Sequence, residues 1–395
     1  MSTLNYMEKL LDGQVVGRRS LGEFVDISNV GVDKKINKNE KKVRLLNFVD
    51  VFKNQYISND TPTMVVTANE RKIIDCDIRE GDIFITPSSE IIDEIGFSAM
   101  AIEDFDNTVY SYHITRLRIN DTNILFPAFL NYIFSSKNIR KQIRLKAQGI
   151  TRFGLTQPNW KSLEIPIPSL HVQSEIVRIL DNFTELTAEL TAELHARKKQ
   201  YTFYRDKLLT FEEGEVEWTT LGDICSIGVG QAPTSNEFGN ISFVNAGTTP
   251  SGFLSIYNSE PDTITTPSRG QGGIGFVGYQ SKEFWCGPLC YRIKSTSEKV
   301  LTRFIYFFMT NNNLKIIELA NMAGVPALNK KELIGFQIPI PPLEEQNRIV
   351  AILDKFDALT TSLTSGLPRE IELRQKQYAY YRDMLLSFPK VESEA

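Results

Sequence analysis

The sequence predicts an α+β protein: two α/β domains in a pseudo-twofold arrangement, joined by a pair of long antiparallel helices. Three observations predict it. The chain contains a close internal duplication. Each copy of the duplicated segment carries a helical apolar stripe. The regions between the copies carry short strand-like runs but share almost no sequence.

The duplication comes first because a repeat fixes the organisation of everything else. Ile165 to Leu190 reads IPIPSLHVQSEIVRILDNFTELTAEL, and Ile338 to Leu363 reads IPIPPLEEQNRIVAILDKFDALTTSL. They are identical at 15 of 26 positions without a gap. After a four-residue length difference, Gln200–Phe211 matches Gln377–Phe388 at eight of twelve positions. A weaker echo precedes each copy. Leu21-Gly22-Glu23 returns as Leu221-Gly222-Asp223, Lys9–Leu11 as Lys207–Leu209, and Thr86-Pro87-Ser88 as Thr266-Pro267-Ser268. These landmarks divide the chain into 1–164, 165–212, 213–337 and 338–395.

The duplicated segments read as helices. Phe183, Leu186, Leu190, Leu194, Arg197, Tyr201, Tyr204 and Leu208 recur in steps of three and four, the spacing of one helix face. Pro166 and Pro168 suit an extended lead-in. An unbroken helix from Gln173 to Thr210 would be about 57 Å long. In the second copy Ile349, Ile352, Leu353, Phe356, Leu359 and Leu363 form the stripe, and Gly366-Leu367-Pro368 interrupts it before Arg369–Leu386. Phe183, Leu186, Leu190, Leu194, Phe356, Leu359 and Leu363 are expected to hold the two helices together. Glu185, Glu189 and Glu193 line the outer face, where they serve solubility or dock partners.

The intervening regions read as mixed α/β. Strands are expected at Lys42–Val51, Gly81–Thr86, Ile241–Asn245, Ile274–Gly278 and Leu289–Ile293, with buried helices at Phe126–Phe134 and Phe304–Met309.

Composition limits the function classes. A net charge of −4 argues against a uniformly basic nucleic-acid binder. The acidic excess is local, however: residues 161–218 hold 7 Lys+Arg against 11 Asp+Glu, while residues 19–160 and 219–336 are each one charge positive. Four cysteines are no disulfide framework. Cys286 and Cys290 lack the further ligands that a zinc site needs, so they read as buried or half-buried thiols. No apolar run approaches a membrane span, and Met1–Leu10 has no secretory pattern, so the expected compartment is the cytoplasm.

A duplicated helix can pack on its copy about a twofold axis, which sets the unlike domains at opposite ends. Duplex DNA has twofold axes of its own, so such a protein suits two spaced half-sites, here different ones. A scaffold repeated twice also offers one docking surface twice and predicts two copies of one partner. A duplicated protein-interaction scaffold without DNA specificity remains the alternative.

The segments IPIPSLHVQSEIVRILDNFTELTAELTAELHARKKQYTFYRDKLLTF and IPIPPLEEQNRIVAILDKF…GLPREIELRQKQYAYYRDMLLSF resemble the central and C-terminal regions of Type I restriction-modification specificity subunits, the type IC group most of all. The resemblance implies target recognition domains at 19–160 and 219–336, with the helices as spacer. It implies two modification subunits, restriction subunits and double-stranded DNA as partners. It also places S-adenosylmethionine, ATP and Mg²⁺ in those subunits rather than in this chain. The tandem Thr187-Ala188-Glu189-Leu190 and Thr191-Ala192-Glu193-Leu194 resembles the type IC spacer repeat; one unit adds about 6 Å of helix.

Candidate DNA contacts follow from residue chemistry. Ser268, Arg269 and Gln271 share a loop whose glycines allow close approach, whose hydroxyl suits phosphate and whose Arg and Gln suit base edges; a plain turn with an exposed Arg is the other reading. Lys282 and Arg292 are weaker candidates, each read more readily as a solvated charge. In the first domain Lys34, Lys35, Lys38, Lys41, Lys42 and Arg44 form the densest basic run, readable as phosphate contacts or equally as a solvated loop, and Thr86, Ser88 and Ser89 occupy the place equivalent to the Arg269 loop. Arg140, Lys141, Arg144 and Lys146 lie at helical spacing.

Catalysis is not expected in this chain. Gly270–Gly275 formally fits G-x-G-x-x-G, but the residues that follow read as strand or turn rather than helix. There is no P-loop and no Asn-Pro-Pro-aromatic motif, and His113, His171 and His195 have no nucleophile or metal cluster around them.

Overall fold

The computed structural model describes residues 4–212, 214–362 and 365–388. They form two compact units. One comprises the described residues up to 188 together with those from 372 on, and the other comprises 189–371. No helix among the described residues is long and apolar enough to cross a membrane.

In the first unit the strands Val25–Ser28, Thr115–Ile119, Ile83–Ile85, Ser98–Ala101 and Tyr56–Ile57 lie side by side in that order. A second sheet has Lys41–Leu46 at its centre, antiparallel to Val65–Ala68 and parallel to Thr108–Tyr110. Arg18–Ser20 closes on Glu164–Pro166.

The second unit repeats this plan with other residues. Cys225–Val229, Cys290–Ser295, Thr263–Pro267 and Gly278–Gln280 form the larger sheet. Ile241–Val244 is antiparallel to Gly252–Leu254 and parallel to Phe284–Cys286. Glu217–Thr220 closes on Gln337–Ile340. The apolar and β-branched content of the strands carries the plan: all of Ile83–Ile85 and all of Thr263–Pro267 are buried. The short echoes mark its fixed points. Leu21 and Leu221 are buried and donate their backbone N–H to Leu163 and Phe336 at 2.7 and 2.8 Å. Beside them a Cβ on Gly22 would lie 2.7 Å from Lys161 Cβ, and one on Gly222 would lie 2.4 Å from Ile334 Cγ2. A close approach therefore requires glycine in both copies.

Two expected strands are corrected. Lys42–Val51 is strand only as Lys41–Leu46; Asn47 then caps a helix, Phe48–Lys53, by accepting from Val49 N at 2.8 Å while Asp50 accepts from Asn47 N at 2.9 Å. Ile274–Gly278 is a turn, with φ of 84° at Gly272 and 86° at Gly275, and strand begins only at Gly278. The helices expected at Phe126–Phe134 and Phe304–Met309 form as Pro127–Ile133 and Thr302–Asn311.

The duplicated segments are helical as read. Leu170–Leu208 is one helix of 39 residues; the second copy divides into Leu343–Thr361 and Leu367–Leu385, with Gly366 at φ 82°. Each copy docks on its own domain through a buried glutamine. Gln173 accepts from Phe126 N at 2.8 Å and donates to Ile124 O at 2.9 Å and Pro168 O at 2.8 Å. Gln346 accepts from Leu301 N at 2.9 Å and donates to Lys299 O at 2.9 Å and Pro341 O at 2.8 Å. Ile176 and Leu180, like Ile349 and Leu353, complete the contact with apolar burial.

Further along, the two units diverge. Asp181 accepts hydrogen bonds from the phenols of Tyr56 and Tyr132, each at 2.6 Å. Burial and this carboxylate hold both phenols protonated well above their ordinary range. The equivalent Asp354 instead pairs at 2.6 Å with Arg303, whose guanidinium lies over the rings of Tyr279, Tyr306 and Phe307. Asp181→Ala strands two phenol hydroxyls and is expected to cost about 2–4 kcal/mol in a denaturant titration.

The helix stripes pack within each unit as pairs of equivalent rings. Phe183 stacks on Tyr381 at 5.1 Å, and Phe356 stacks on Tyr204 at 5.9 Å. Leu186, Leu190, Leu194 and Leu359 are half-buried, and Leu363 lies outside the described residues.

Candidate nucleic-acid interface

In each domain one end of the two sheets gathers the same three loops. The first loop leaves the strand Ile83–Ile85 or Thr263–Pro267 and holds Thr86-Pro87-Ser88-Ser89 or Ser268–Gln271. The second is a short hairpin. Gln148 and Gly154 exchange two backbone hydrogen bonds of 2.9 Å, and Asn321 and Ala327 do the same at 2.8 and 3.0 Å. The third follows the parallel strand Thr108–Tyr110 or Phe284–Cys286.

Backbone bonds tie these loops together. Ser88–Ser89 pairs with Phe153–Gly154, and Arg269 bridges Ala327. Gly270 N donates to Pro326 O at 3.0 Å, Leu328 N to Ser268 O at 2.9 Å, and Ser268 N to Leu289 O at 2.8 Å. A Cβ on Gly149 (φ 123°) would lie 2.0 Å from Arg152 O, so the first hairpin requires glycine there. A Cβ on Gly273 would lie 2.0 Å from Ala246 O, which brings the Ser268–Gly273 loop onto the end of the strand Ile241–Val244.

The side chains presented differ between the domains. In the first, Arg152 donates from Nε to Ser88 Oγ at 3.1 Å, and the His113 ring lies tilted against Tyr112 with centroids 4.0 Å apart. Arg152 and His113 flank an open cleft of about 350 Å³ that also takes in Phe48, Ser89 and Ile91. Glu94 lines it too and accepts from Ser89 Oγ at 2.7 Å. In the second domain Arg269 and Gln271 are exposed and Ser268 is half-buried. Among the described residues the Arg269 guanidinium has no hydrogen-bond or ion-pair partner. Such an end can grip phosphates through arginine and hydroxyl groups and present amide and imidazole groups to base edges.

The other candidates lie elsewhere. Thr263 pairs with Gln280, so Lys282 lies beyond the far end of that strand, about 20 Å along it from Arg269. Arg292 is held in mid-strand, where Nη1 donates to Asn258 O at 2.7 Å and Ser259 Oγ at 3.2 Å. Lys41 and Lys42 are exposed at the end of their strand away from Phe48; Lys41 is about 16 Å from Leu46, where the strand ends. Arg44 is tied to Asn59 through its backbone carbonyl and its side chain, and to Asp106 O at 3.1 Å. Lys35 pairs with Asp33 at 2.7 Å. On the Lys137–Lys146 helix, Arg140 donates to the carbonyls of Ile95 and Asp93 and Arg144 pairs with the Asp93 carboxylate, while Lys141 is exposed.

The four cysteines are free and buried; burial pushes the Cys76 thiol up to about 11 and Cys225 up to about 12. Among the described residues no cluster of three or more His, Cys, Asp or Glu could hold a metal ion.

Sequence reasoning missed both hairpins, with Ile150, Arg152 and Met322. A signal was present. Carried backwards at the same 173-residue offset as the repeat, Gln148–Gly154 falls on Asn321–Ala327. Ala147 and Leu155 then match Ala320 and Leu328.

The two-domain plan and its shared scaffold define a specificity protein built twice over. The chain belongs to the Type I restriction modification DNA specificity domain family, which matches residues 16–197 and again 213–373. It is 37% identical to the Type I restriction enzyme EcoR124I/EcoR124II specificity subunit of Escherichia coli, over 100% of this chain and 99% of that one. Its fold is that of the Type-I restriction-modification system S subunit from M. genitalium, at 18% identity and TM-score 0.62, covering 96% of this chain and 98% of that one. A chain from work on complex assembly and conformational transition of the type I R-M system shares the fold at 19% identity and TM-score 0.53, covering 94% and 98%.

Proposed function

We infer that this chain is the DNA-reading subunit of a Type I restriction-modification complex. Each domain takes one short half-site, the two half-sites differ, and the gap between them is fixed and unread. The single observation that carries this reading is the pair of loop-bearing ends. Their frame repeats, apart from one edge strand, Tyr56–Ile57, that the described residues of the second unit lack, while the side chains offered, Arg152, His113 and Ser88 against Arg269, Gln271 and Ser268, do not. Same frame with different chemistry is what two unlike half-sites require. Ser268, Arg269, Gln271 and Ser88 remain the proposed contacts from the sequence; Lys41, Lys42 and Lys282 serve at most as distant phosphate contacts. Arg44 and Arg292 could reach DNA only by releasing the carbonyls they now hold.

The chain does no chemistry in this reading. Two modification subunits and the restriction subunits act in the cytoplasm beside it, bringing S-adenosylmethionine, ATP and Mg²⁺. Matched exposed aromatics support two copies of one partner: Phe203 and Tyr380, equivalent in the repeat, are 62% and 52% exposed. Removing both, Phe203→Ala with Tyr380→Ala, is expected to weaken assembly with the modification subunit by about 2 kcal/mol per site, read by calorimetric titration.

The reading is tested by binding of the assembled complex to cognate and scrambled duplexes between 50 and 200 mM salt. With six to ten phosphate contacts, affinity should fall about 10³- to 10⁵-fold over that range. A preference for the cognate duplex should persist at every salt concentration. Salt-insensitive binding, or no preference, contradicts the reading.

A further inference from the structure

Ile150 is 93% exposed, the most exposed large apolar side chain among the described residues, and it sits at the tip of the first hairpin. The second hairpin presents Met322 and Val325, 58% and 59% exposed. An isolated exposed apolar residue needs no explanation. Exposed apolar residues on two matched hairpins do, although the residues themselves fall at different places within each, because the hairpins share a two-bond clamp and an attachment to the neighbouring loop but almost no sequence. The geometry is kept where the residues are free to change, and so is the apolar tip.

The surroundings identify what covers the tips. Arg152 stands on the first hairpin, and its hydrogen-bond partner among the described residues is uncharged Ser88. The helix that feeds this hairpin, Lys137–Lys146, carries five basic residues and no acidic one; Lys137 and Arg144 are paired with Asp383 and Asp93 and Arg140 holds two carbonyls, while Lys141 is exposed and Lys146 has, among the described residues, only the uncharged Ser162 hydroxyl as partner. At the base of the second hairpin stands Arg269 without a partner, and exposed Lys330 and Lys331 follow it. An apolar point ringed by arginine and lysine suits a polyanion with an apolar interior edge. Duplex DNA offers this in its grooves, where apolar side chains lie against base steps and sugars while cations hold the flanking phosphates.

We propose that the two hairpins are a matched pair of groove anchors. Ile150 in one domain, and Met322 with Val325 in the other, press into the DNA groove next to each half-site without reading its sequence. This rests on the DNA-reading assignment and adds a division of labour to it. The loops at Ser88 and Ser268–Gln271, with Arg152, His113 and Arg269, meet the half-site, and the apolar tips of the hairpins supply affinity common to all sequences.

The test uses the complex assembled with its modification subunits, carrying Ile150→Ser alone or Met322→Ser with Val325→Ser. These side chains are mostly exposed, so the melting temperature should not move, and that is measured alongside. Affinity is measured for a duplex carrying the mapped methylation motif and for one with both half-sites scrambled. Each variant should lose roughly tenfold on both duplexes, the effect of withdrawing one branched apolar side chain from a buried position, with the ratio between duplexes kept. Unchanged affinity for both duplexes overturns the proposal while leaving the DNA-reading assignment standing. So does a loss confined to the cognate duplex, which would make the tips readers. Weakened assembly with modification subunits, at unchanged DNA affinity, also overturns it and assigns the hairpins to a protein interface. A wild-type complex that binds no duplex overturns the recognition assignment and this proposal together.

Discussion

Deletion of Thr191–Leu194 from the long helix is expected to abolish methylation at the original motif and create a new one. The new motif should hold the same two half-sites with a gap shorter by one or two base pairs. The helix runs unbroken from Leu170 to Leu208, so a deletion inside it has no loop to absorb it. Four residues are about 6 Å of rise and one turn plus about 40°. A base pair is about 3.4 Å of duplex and roughly a tenth of a turn, so rise and rotation both correspond to a step of one or two pairs. Four residues exceed a full turn by only about 40°, so Leu186, Leu190 and the residues after the deletion stay near one stripe and the helix should still pack. Sequencing of methylated adenines checks this. An unchanged gap would remove the spacer role from the tandem repeat.

Replacement of the docking glutamines should have the largest effect on stability. Gln173→Leu leaves the N–H of Phe126 and the carbonyls of Ile124 and Pro168 buried without partners. Each stranded group costs on the order of 1–3 kcal/mol, so a total of about 3–5 kcal/mol is expected. In a unit of this size that lowers the melting temperature by roughly 10 °C. Gln346→Leu should do the same to the second unit through Leu301, Lys299 and Pro341. Two transitions that separate in each single variant, and shift together in the double, would show that each glutamine fastens its own domain. A loss below about 1 kcal/mol in both variants would mean that the groups find other partners or water.

The duplicated helices were legible because two signals agreed there: identity between copies and an apolar stripe with helical steps. The break at Gly366 was legible for its own chemistry. The sheet plan was not, because it rests on short strands, three to six residues long in most cases, whose order depends on pairings far apart in sequence. The helix Phe48–Lys53 had a readable start in Asn47 and Asp50, hidden beneath a run of apolar residues that also suits a strand.

For the interface, composition located the Ser268–Gln271 loop, since glycine, hydroxyl and arginine together are uncommon within a strand. It set Arg269 ahead of Arg292 but left Arg44 open, because whether a guanidinium is spent on nearby carbonyls is decided only by the fold. The hairpins escaped notice because a five-residue loop closed by a single bridging pair has no periodicity. Only the constant offset from the Ile-Pro-Ile-Pro segment marks them.

The most direct test is to express this chain with its modification subunit in a methylation-free host and sequence the methylated adenines across the genome. A single asymmetric motif, two unlike short half-sites with a fixed gap, is the predicted result. Swapping residues 213–337 for the equivalent region of a relative should then change one half-site and leave the other. An assembled complex that leaves the genome unmethylated, or methylates it without a two-part motif, contradicts the account.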